Sequence, residues 1–415
     1  MSKLVSLFAA FFLILPVAYS SEGIDPRRVS VLYVGDSLSA YTPYVPFVED
    51  ASISVSVVMV HHHGGIPLAD IHRYIRLYMP RSYDEYASRY DALVISNAYR
   101  RVLTVEQLSW FRDGVLEKGI GLVMVAGQES FGASSSRPDA SWAGSLVEEV
   151  LPVSVPTGYQ VIEHNWIRRH TMEIVDHSHE FISSLPFEPQ PEYMRMPVDG
   201  QLTHLKTGAT TLARWIYPEL GYPPLYATWD IGEGRTFAMT HGWTDPGSQG
   251  GARFFTKWDY YGDFAINLVH YLAKRSLPSD YLVVHQYREQ VHALFVGKGM
   301  LLSLIDFVDA FGGDPTQLNE EIQLLDEQHE GSQGLYLDHD YQEALESIRT
   351  TVEKLRSIEE LAIRIKNQAL LWVYVTEWLA VTGTSLLCGF IVWTLMVRRR
   401  LYREIGTTRL RDRVG

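Results

Sequence analysis

Residues 121–127 read Gly-Leu-Val-Met-Val-Ala-Gly, an apolar run of strand length bounded by glycine at both ends. Similar short segments that predict strands precede it at 29–34, 53–60 and 92–96. Helical patterns separate these segments at 66–78 and 104–118. The alternation of strand and helix predicts an α/β fold in which a parallel sheet is flanked by helices.

The pattern becomes less regular after Pro152, but strand signals return further along the chain. A strand is predicted at 210–214, and two apolar segments around 230–234 predict a β-hairpin. An amphipathic helix at 259–274 then closes the pattern. These boundaries predict one α/β domain over residues 28–275.

The chain beyond residue 278 is helical in pattern, with predicted breaks at 312–313 and 331–334. Apolar side chains then recur every three or four residues, at Tyr341, Leu345, Ile348, Val352, Leu355, Ile358, Ala362, Ile365 and Ala369. This periodicity predicts a helical stalk over residues 279–368. The stalk helix either packs on its two predecessors or forms a dimeric coiled coil, and a strict heptad of only about two repeats favours packing.

A single segment of the chain after residue 20 has the length and composition of a membrane span. Residues 378–397 carry no charge, and about 20 apolar residues cross the hydrocarbon core as a helix. Aromatic residues lie before the segment and arginines follow it, as the interface and the positive-inside rule require. We therefore expect a transmembrane helix with its interfacial flank over 372–397 and a cytoplasmic basic tail over 398–415.

The N-terminus has the pattern of a secretory signal. Lys3 precedes an apolar run, and Ala18-Tyr19-Ser20 supplies small residues for cleavage. We therefore predict a signal peptide over residues 1–20. Together with the span, it predicts a single-pass cell-membrane protein whose N-terminal domain lies outside the cell and which contacts the lipid bilayer through one helix.

Charge and cysteine content exclude several classes of function. Residues 21–397 contain 28 basic and 47 acidic residues, a net charge of −19, which disfavours nucleic acid as a partner. Cys388, the only cysteine, lies inside the predicted span. The exported part therefore has no disulfide, no cysteine metal ligand and no thiol nucleophile.

Several segments in order resemble a known family. They are 121–127 with Ser130-Phe131-Gly132 after it, Trp142, Leu-Val-Glu-Glu-Val-Leu-Pro at 146–152, 224–228, 232–235 and the aromatic segment around Trp258. In this order they are similar to the putative glutamine amidotransferase family, which has the class I glutamine amidotransferase-like fold. The resemblance implies a flavodoxin-like sheet over residues 28–275.

The family's catalytic turn departs from its usual pattern here. Class I amidotransferases place a cysteine in Gly-x-Cys-x-Gly, whereas residues 127–132 read Gly-Gln-Glu-Ser-Phe-Gly. Glutamine hydrolysis by the usual thiolate mechanism is therefore disfavoured. The remaining catalytic candidates are Glu129, Ser130 and His241, although Ser130 lacks the preceding glycine of a nucleophile elbow. Candidate ligand-binding residues of the turn are Gly127, Gln128, Phe131 and Gly132.

Histidines offer candidate metal ligands. His61, His62 and His63 follow the second predicted strand, at the edge where open α/β sheets bind ligands. Neighbouring side chains on an extended chain point to opposite sides, so at most two of them meet one metal ion. A second group of potential ligands comprises His164, His170, Asp176, His177 and His179. Exposed loop histidines are the alternative interpretation.

The sequence therefore favours a membrane-anchored, non-catalytic, glutamine amidotransferase-like protein that binds a small molecule or protein outside the cell, with no cofactor. Aromatic residues around Trp229 and Trp243 could stack on sugars, anchor a partner or pack in the core. One alternative is a metal-dependent or other non-thiol hydrolase that uses His61 to His63, Glu129 and His241. The other is a structural subunit of a larger membrane complex.

Overall fold

The structure, a computed structural model, describes residues 25–36, 42–62, 66–134, 137–157, 161–162, 172–187, 200–243, 255–310 and 315–411. The chain divides into two compact units, residues 1–277 and 278–415. The predicted signal peptide at 1–20 lies outside the described residues.

The first unit is built on an eight-stranded sheet with the order β2-β1-β3-β4-β12-β11-β10-β7. Its strands are β1 (Val29–Gly35), β2 (Ile53–Met59), β3 (Ala92–Ser96), β4 (Gly121–Val125), β7 (Met172–Ile174), β10 (Thr210–Trp215), β11 (Pro224–Ile231) and β12 (Gly234–Met239). Neighbours from β2 to β12 pair in parallel, and β11, β10 and β7 continue the sheet in antiparallel pairs. The predicted α/β fold is confirmed, but the sheet is mostly parallel and not parallel throughout, because β11, β10 and β7 pair antiparallel.

Two smaller pairings lie outside the main sheet. Strand β5 (Val153–Ser154) pairs with β9 (His204–Leu205), and β6 (Val161–Ile162) pairs with β8 (Gly200–Gln201). An isolated bridge joins Gly200 to His241, directly after β12. This bridge brings the β8 segment to the end of the central sheet.

Helices cover both faces of this sheet. The described helices of the first unit are α1 (Tyr44–Glu49), α2 (Leu68–Tyr78), α3 (Tyr83–Arg89), α4 (Val105–Lys118), α5 (Leu146–Val150), α6 (Glu180–Ser183) and α7 (Tyr261–Leu272). Side chains of β1 alternate between two cores: Val31 packs with the α7 side and Leu32 with the α2 to α4 side. Because both faces are buried, the central strands are apolar throughout, which is why they were visible in the sequence.

Two close approaches at the carboxyl edge of the sheet require glycine. Gly35 has φ +152, and a β-carbon there would lie 1.7 Å from the carbonyl oxygen of Ser96. A β-carbon on Gly127 would lie 2.4 Å from the Asn97 side chain. These glycines let the ends of β1 and β4 approach the end of β3.

The second unit contains three described helices: α8 (Tyr281–Ala310), α9 (Thr316–Leu337) and α10 (Tyr341–Arg411). The apolar stripe predicted for the stalk is buried at Leu345, Ile348, Val352, Leu355 and Ile358. Gly297 of α8 lies against Leu355 of α10, so this stripe is covered by packing within the unit. The packed interpretation of the stalk therefore describes α10 better than a coiled coil that needs a second chain.

The predicted helix break at 331–334 is wrong, because α9 continues to Leu337. Glycine lowers helix stability by about 1 kcal/mol relative to alanine, but it does not by itself end a helix. His329, Ser332 and Tyr336 of the same segment are buried, and their packing offsets this cost. The break occurs instead at residues 338–340, where His339 has φ +68.

Two helices among the described residues are long and apolar enough to cross a membrane. In α8, 28% of the most apolar window is buried, whereas none of the corresponding window in α10 is buried. Large apolar side chains in this part of α10 are widely exposed, including Trp378 at 71% and Leu386 at 70%. The predicted span at 378–397 lies within α10.

Candidate functional site

Strands β1 to β4 run in the same direction, so the residues that follow them meet at one edge of the sheet. We refer to Asp36, His61, Asn97 and Glu129 as the edge cluster. Each of these residues lies directly after a strand or within four residues of its end. The strand order changes direction between β1 and β3, and open α/β sheets bind ligands at such a point.

Glu129 is fully buried and fixed by several contacts. Its Oε2 atom accepts the backbone N–H of His62 at 2.7 Å and lies 3.1 Å from Nδ1 of His61. Its own N–H donates to Oδ1 of Asn97 at 2.8 Å, and the indole N–H of Trp142 donates to its carbonyl oxygen at 3.0 Å. The carboxylate is therefore held in one position at the sheet edge.

His61 is a partner of Glu129 and carries its proton on Nδ1. That nitrogen faces two acceptors, the Glu129 carboxylate and the carbonyl oxygen of Asn97, both at 3.1 Å. Burial lowers the pKa of His61, but the hydrogen bond and charge of Glu129 and the charge of Asp36 raise it. The net result is a pKa above the ordinary value of 6.5.

Asp36 forms the other acidic side of the edge cluster. Tyr33 donates its hydroxyl to Oδ1 of Asp36 at 2.6 Å. Burial raises the pKa of Asp36, and the hydrogen bond from Tyr33 and the nearby His61 oppose the rise only in part. Two buried aromatic donors lie on this side, the hydroxyl of Tyr261 and the indole N–H of Trp243. Burial raises the pKa of Tyr261, and the charge of Asp36 adds to this rise. The two rings are 6.1 Å apart, and neither polar atom has a hydrogen-bond partner in the part of the chain that the structure describes.

The turn at residues 127–132, which contains the catalytic candidate Ser130, is closed. Ser130 is fully buried, and its hydroxyl has no hydrogen-bond partner among the described residues. Phe131 and Ala133 adopt positive φ of 46° and 62°, which costs backbone energy in residues other than glycine. Trp142 donates its backbone N–H to the carbonyl oxygen of Phe131 at 2.7 Å and closes the loop.

The residues of this turn that were predicted to bind a ligand are buried or half-buried, and their backbone groups bond to other protein groups. Phe131 and Gly132 are buried, whereas Gly127 and Gln128 are half-buried. The carbonyl oxygen of Gly127 accepts the side-chain amide of Gln201 at 3.3 Å. The carbonyl oxygen of Gln128 accepts the backbone N–H of Ser134 at 2.8 Å. Their polar backbone groups therefore tie the turn to its neighbours.

His241 lies after β12 but is committed to other contacts. Its Nδ1 faces the carbonyl oxygen of Gly242 at 2.8 Å, and its Nε2 lies 2.8 Å from the hydroxyl of Tyr226. Nδ1 therefore carries the proton, and Nε2 accepts the O–H of Tyr226. Burial lowers the pKa of His241 to about 4. A neutral histidine with both nitrogens engaged does not act as a base in this arrangement, and Asp245 lies outside the described residues.

The remaining predicted ligands do not form a metal site among the described residues. The Nδ1 atom of His62 is 2.7 Å from the carbonyl oxygen of Ile66, and its ring lies 5.3 Å from that of Tyr99. His179 accepts the N–H of Phe181 at the start of α6, and Asp176 binds Ser178. His177 is exposed. His63, His164 and His170 lie outside the described residues.

Sequence reasoning missed Asp36 and Asn97. Both directly follow a fully buried strand, β1 or β3, and this position was the available signal. Asn97 also adopts φ +48, a conformation in which asparagine is enriched. His61 and Glu129 were both proposed from the sequence, and the structure brings them together.

No family model matches the chain, and no curated protein matches it. The chain is similar to the solved structure of the cytoplasmic protein STM1381 from Salmonella typhimurium LT2, with 18% identity and a TM-score of 0.45, covering 59% of this chain and 99% of that chain. It is also similar to the cytoplasmic protein STM3548 from Salmonella typhimurium, with 16% identity and a TM-score of 0.44, covering 58% and 98%. A third match is the GH42 beta-galactosidase Gan42B of G. stearothermophilus, with 14% identity and a TM-score of 0.32, covering 61% and 31%. None of these names indicates a glutamine amidotransferase.

Proposed function

We propose that the chain is a membrane-anchored, glutamine amidotransferase-like protein that binds a small molecule at the carboxyl edge of its sheet and does not hydrolyse glutamine. The observation that carries the proposal is the edge cluster. It places two carboxylates and a histidine at the point where the strand order reverses.

Unpartnered polar atoms beside Asp36 support a binding role. Buried donors are normally hydrogen-bonded, because leaving one unsatisfied costs roughly 1–3 kcal/mol. The hydroxyl of Tyr261 and the indole N–H of Trp243 are both buried, and no described residue accepts a hydrogen bond from either. A bound molecule with hydrogen-bond acceptors would satisfy both groups.

Three features argue against thiol-dependent glutamine hydrolysis. Residues 127–132 contain no cysteine. Ser130 is fully buried inside its turn, so a substrate carbonyl cannot reach it in this conformation. Both ring nitrogens of His241 are engaged in hydrogen bonds.

The strand order supports the family resemblance. The first strands have the order 2-1-3-4, which is that of flavodoxin-like sheets.

The anchor part of the proposal rests on α10. A helix that is apolar on all faces needs an apolar environment. Between Trp372 and Val397, large apolar side chains are exposed, so this part of α10 is such a helix. Arg398, Arg399 and Arg400 follow, as expected for a cytoplasmic end. We propose that the first unit lies outside the cell and that the C-terminal tail lies in the cytoplasm.

The experiment measures ammonia release from glutamine by the full chain purified in maltoside detergent. We expect no release above the buffer rate, and release that survives Ser130→Ala and Glu129→Gln would point to contamination. Release by the native chain that Glu129→Gln abolishes would contradict the proposal.

Alkaline carbonate extraction tests the membrane anchor. The full chain should stay in the membrane fraction, and a chain ending at residue 370 should be released.

One observation favours a second candidate, a non-thiol hydrolase. Nδ1 of His61 lies 3.1 Å from a buried carboxylate that orients the ring, as in the base and orienting pair of a triad. Burial lowers the pKa of His61, but Glu129 raises it above the ordinary value and so makes the ring a stronger base. Turnover of an ester panel that is lost in His61→Gln and Glu129→Gln, but retained in His241→Gln, would favour this candidate over binding alone.

A further inference from the structure

Three arginines lie together near the edge cluster, and we refer to Arg100, Arg101 and Arg137 as the arginine cluster. Arg100 and Arg101 begin a short helical turn after β3. Arg137 precedes a second short turn at Pro138–Ala140, and the two turns contact each other. The charges of Arg101 and Arg137 both contribute to lowering the pKa of Asp139, so the two arginines lie on the same side of the molecule.

Backbone carbonyls hold two of these guanidinium groups. The Nε atom of Arg100 donates to the carbonyl oxygen of Ser141 at 2.7 Å, and that of Arg101 donates to the carbonyl oxygen of Asp139 at 3.2 Å. Among the described residues, no carboxylate forms an ion pair with any member of the cluster. The side chains of Arg100 and Arg101 are therefore oriented by uncharged acceptors.

Three other arginines of the same unit pair with carboxylates. Arg112, Arg214 and Arg235 each have Nε within 2.7 to 2.9 Å of a carboxylate oxygen. In the arginine cluster, the Nε donors of Arg100 and Arg101 face backbone carbonyl oxygens instead. A carbonyl oxygen carries no net charge, so these contacts leave the positive charge of both guanidinium groups in place.

The local charge is positive although the chain is acidic. Asp139 interacts electrostatically with Arg101 and Arg137, and it also accepts the hydroxyl of Tyr99 at 2.5 Å. Three arginines and one aspartate give a local charge of about +2, since all four groups are ionised at neutral pH. The net charge of −13 acts over longer distances, and salt screens it beyond about 8 Å. Burial, together with the charge of Arg101, lowers the pKa of Arg100, so an anion there would relieve crowding of like charges.

Tyr99 connects the arginine cluster to the edge cluster. Its backbone N–H donates to the carbonyl oxygen of Val60, the residue before His61, at 2.9 Å. Its ring contacts the ring of His62, and its hydroxyl reaches Asp139. An anionic group held by the arginines would therefore lie beside the proposed binding site.

We infer that the arginine cluster binds the phosphate group of a soluble small molecule whose remaining part occupies the edge cluster. This inference rests on the proposed ligand-binding function. Guanidinium groups match phosphate oxygens with paired N–H donors. A phosphate monoester carries about −1.5 to −2 charges at neutral pH, which matches the local charge better than a single carboxylate does.

The test uses the full chain in maltoside detergent, which contains no phosphate. Binding of inorganic phosphate and of glycerol phosphate is measured by calorimetry at constant ionic strength, with acetate as the carboxylate probe. We expect saturable phosphate binding, and Arg100→Gln and Arg137→Gln should each weaken it roughly tenfold or more. Arg112→Gln is the matched control, since it removes the same charge from a paired arginine and should leave binding unchanged.

Several results would overturn the inference. They are no phosphate binding by the native chain, equal binding of acetate, or equal loss in Arg112→Gln. Binding only to vesicles that contain phosphatidic acid, and not to soluble phosphates or to phosphatidylcholine vesicles, would assign the cluster to a lipid headgroup instead. Circular dichroism of each variant identifies misfolding, and Arg101→Gln then provides a third variant. Glutamine hydrolysis is measured separately, so failure of phosphate binding alone leaves the proposed function standing.

Discussion

Two histidines lie at the same edge of the sheet and differ in charge behaviour. His61 follows β2 and His241 follows β12, and both side chains are largely buried, with 14% exposure for the His61 side chain and 3% for the His241 residue. Glu129 and Asp36 raise the pKa of His61 above 6.5. Burial lowers the pKa of His241 to about 4, and the hydrogen bond to the carbonyl oxygen of Gly242 opposes this only in part.

The difference shows that position in the fold does not decide the role of a histidine. Both residues occupy places where α/β proteins hold functional groups. His61 has a carboxylate partner that stabilises its charged form. His241 has no such charged contributor, and burial favours its neutral form.

The largest expected effect comes from removing the carboxylate that distinguishes the two sites. Glu129→Ala leaves His61 and the N–H of His62 without their buried acceptor. Breaking a buried ion pair on one side typically costs about 3–5 kcal/mol. We therefore expect the free energy of unfolding of the first unit to fall by that amount, measured by urea unfolding and tryptophan fluorescence.

Glu106→Ala is the control for this change, because Glu106 is exposed in the first turn of α4. Its effect should stay within about 0.5 kcal/mol. If the two substitutions cost the same, the buried contacts of Glu129 do not stabilise the fold, and the contrast between the two histidines loses its basis.

Much of the sheet was predictable because its signals are local. The predicted strand at 92–96 matches β3, the predicted hairpin is formed by β11 and β12, and Thr104 caps α4 with Gln107 in a capping box. Each of these depends on residues close together in the chain. The continuation of α9 through Gly331 was not predictable, because it depends on packing with residues far away in the sequence.

The candidate site was predictable only in part. Residues that follow strands were visible as candidates, and His61 and Glu129 were chosen on that basis. Their pairing joins positions 68 residues apart, so no local pattern reveals it. The locked state of His241 depends in the same way on Tyr226 of the neighbouring strand.

A pH titration of stability also tests the contrast between His61 and His241, and its expected effect is smaller than that of Glu129→Ala. The folded pKa of His241 is about 4 and the unfolded value is 6.5, so below pH 6.5 protons bind the unfolded chain preferentially. The stability contribution of neutral His241 is complete above pH 6.5 and is lost as the pH falls towards 4. The loss is about 3 kcal/mol, since one pKa unit corresponds to roughly 1.4 kcal/mol.

The measurement compares the native chain with His241→Gln between pH 6.5 and 4. The native chain should lose more stability than the variant over this range, and equal slopes would show that His241 is not held neutral. His61→Gln is compared with the native chain above pH 6.5, where the native chain should lose more stability as the pH rises. The raised folded pKa of His61 stabilises the native chain below the unfolded value and is lost as the pH rises through the folded value.

The smallest expected effect concerns Asp36, whose charge adds to that of Glu129 at His61. Asp36→Asn removes this charge but leaves the hydrogen bond between His61 and Glu129 in place. We expect the pKa of His61, followed by the NMR shifts of its ring protons, to fall, because one of the charges that raise it is removed. The pKa of His241 serves as the internal control and should not move, because the charge of Asp36 does not contribute to it. An unchanged or higher pKa of His61 would separate Asp36 from the edge cluster and leave Glu129 as the source of the difference between the two histidines.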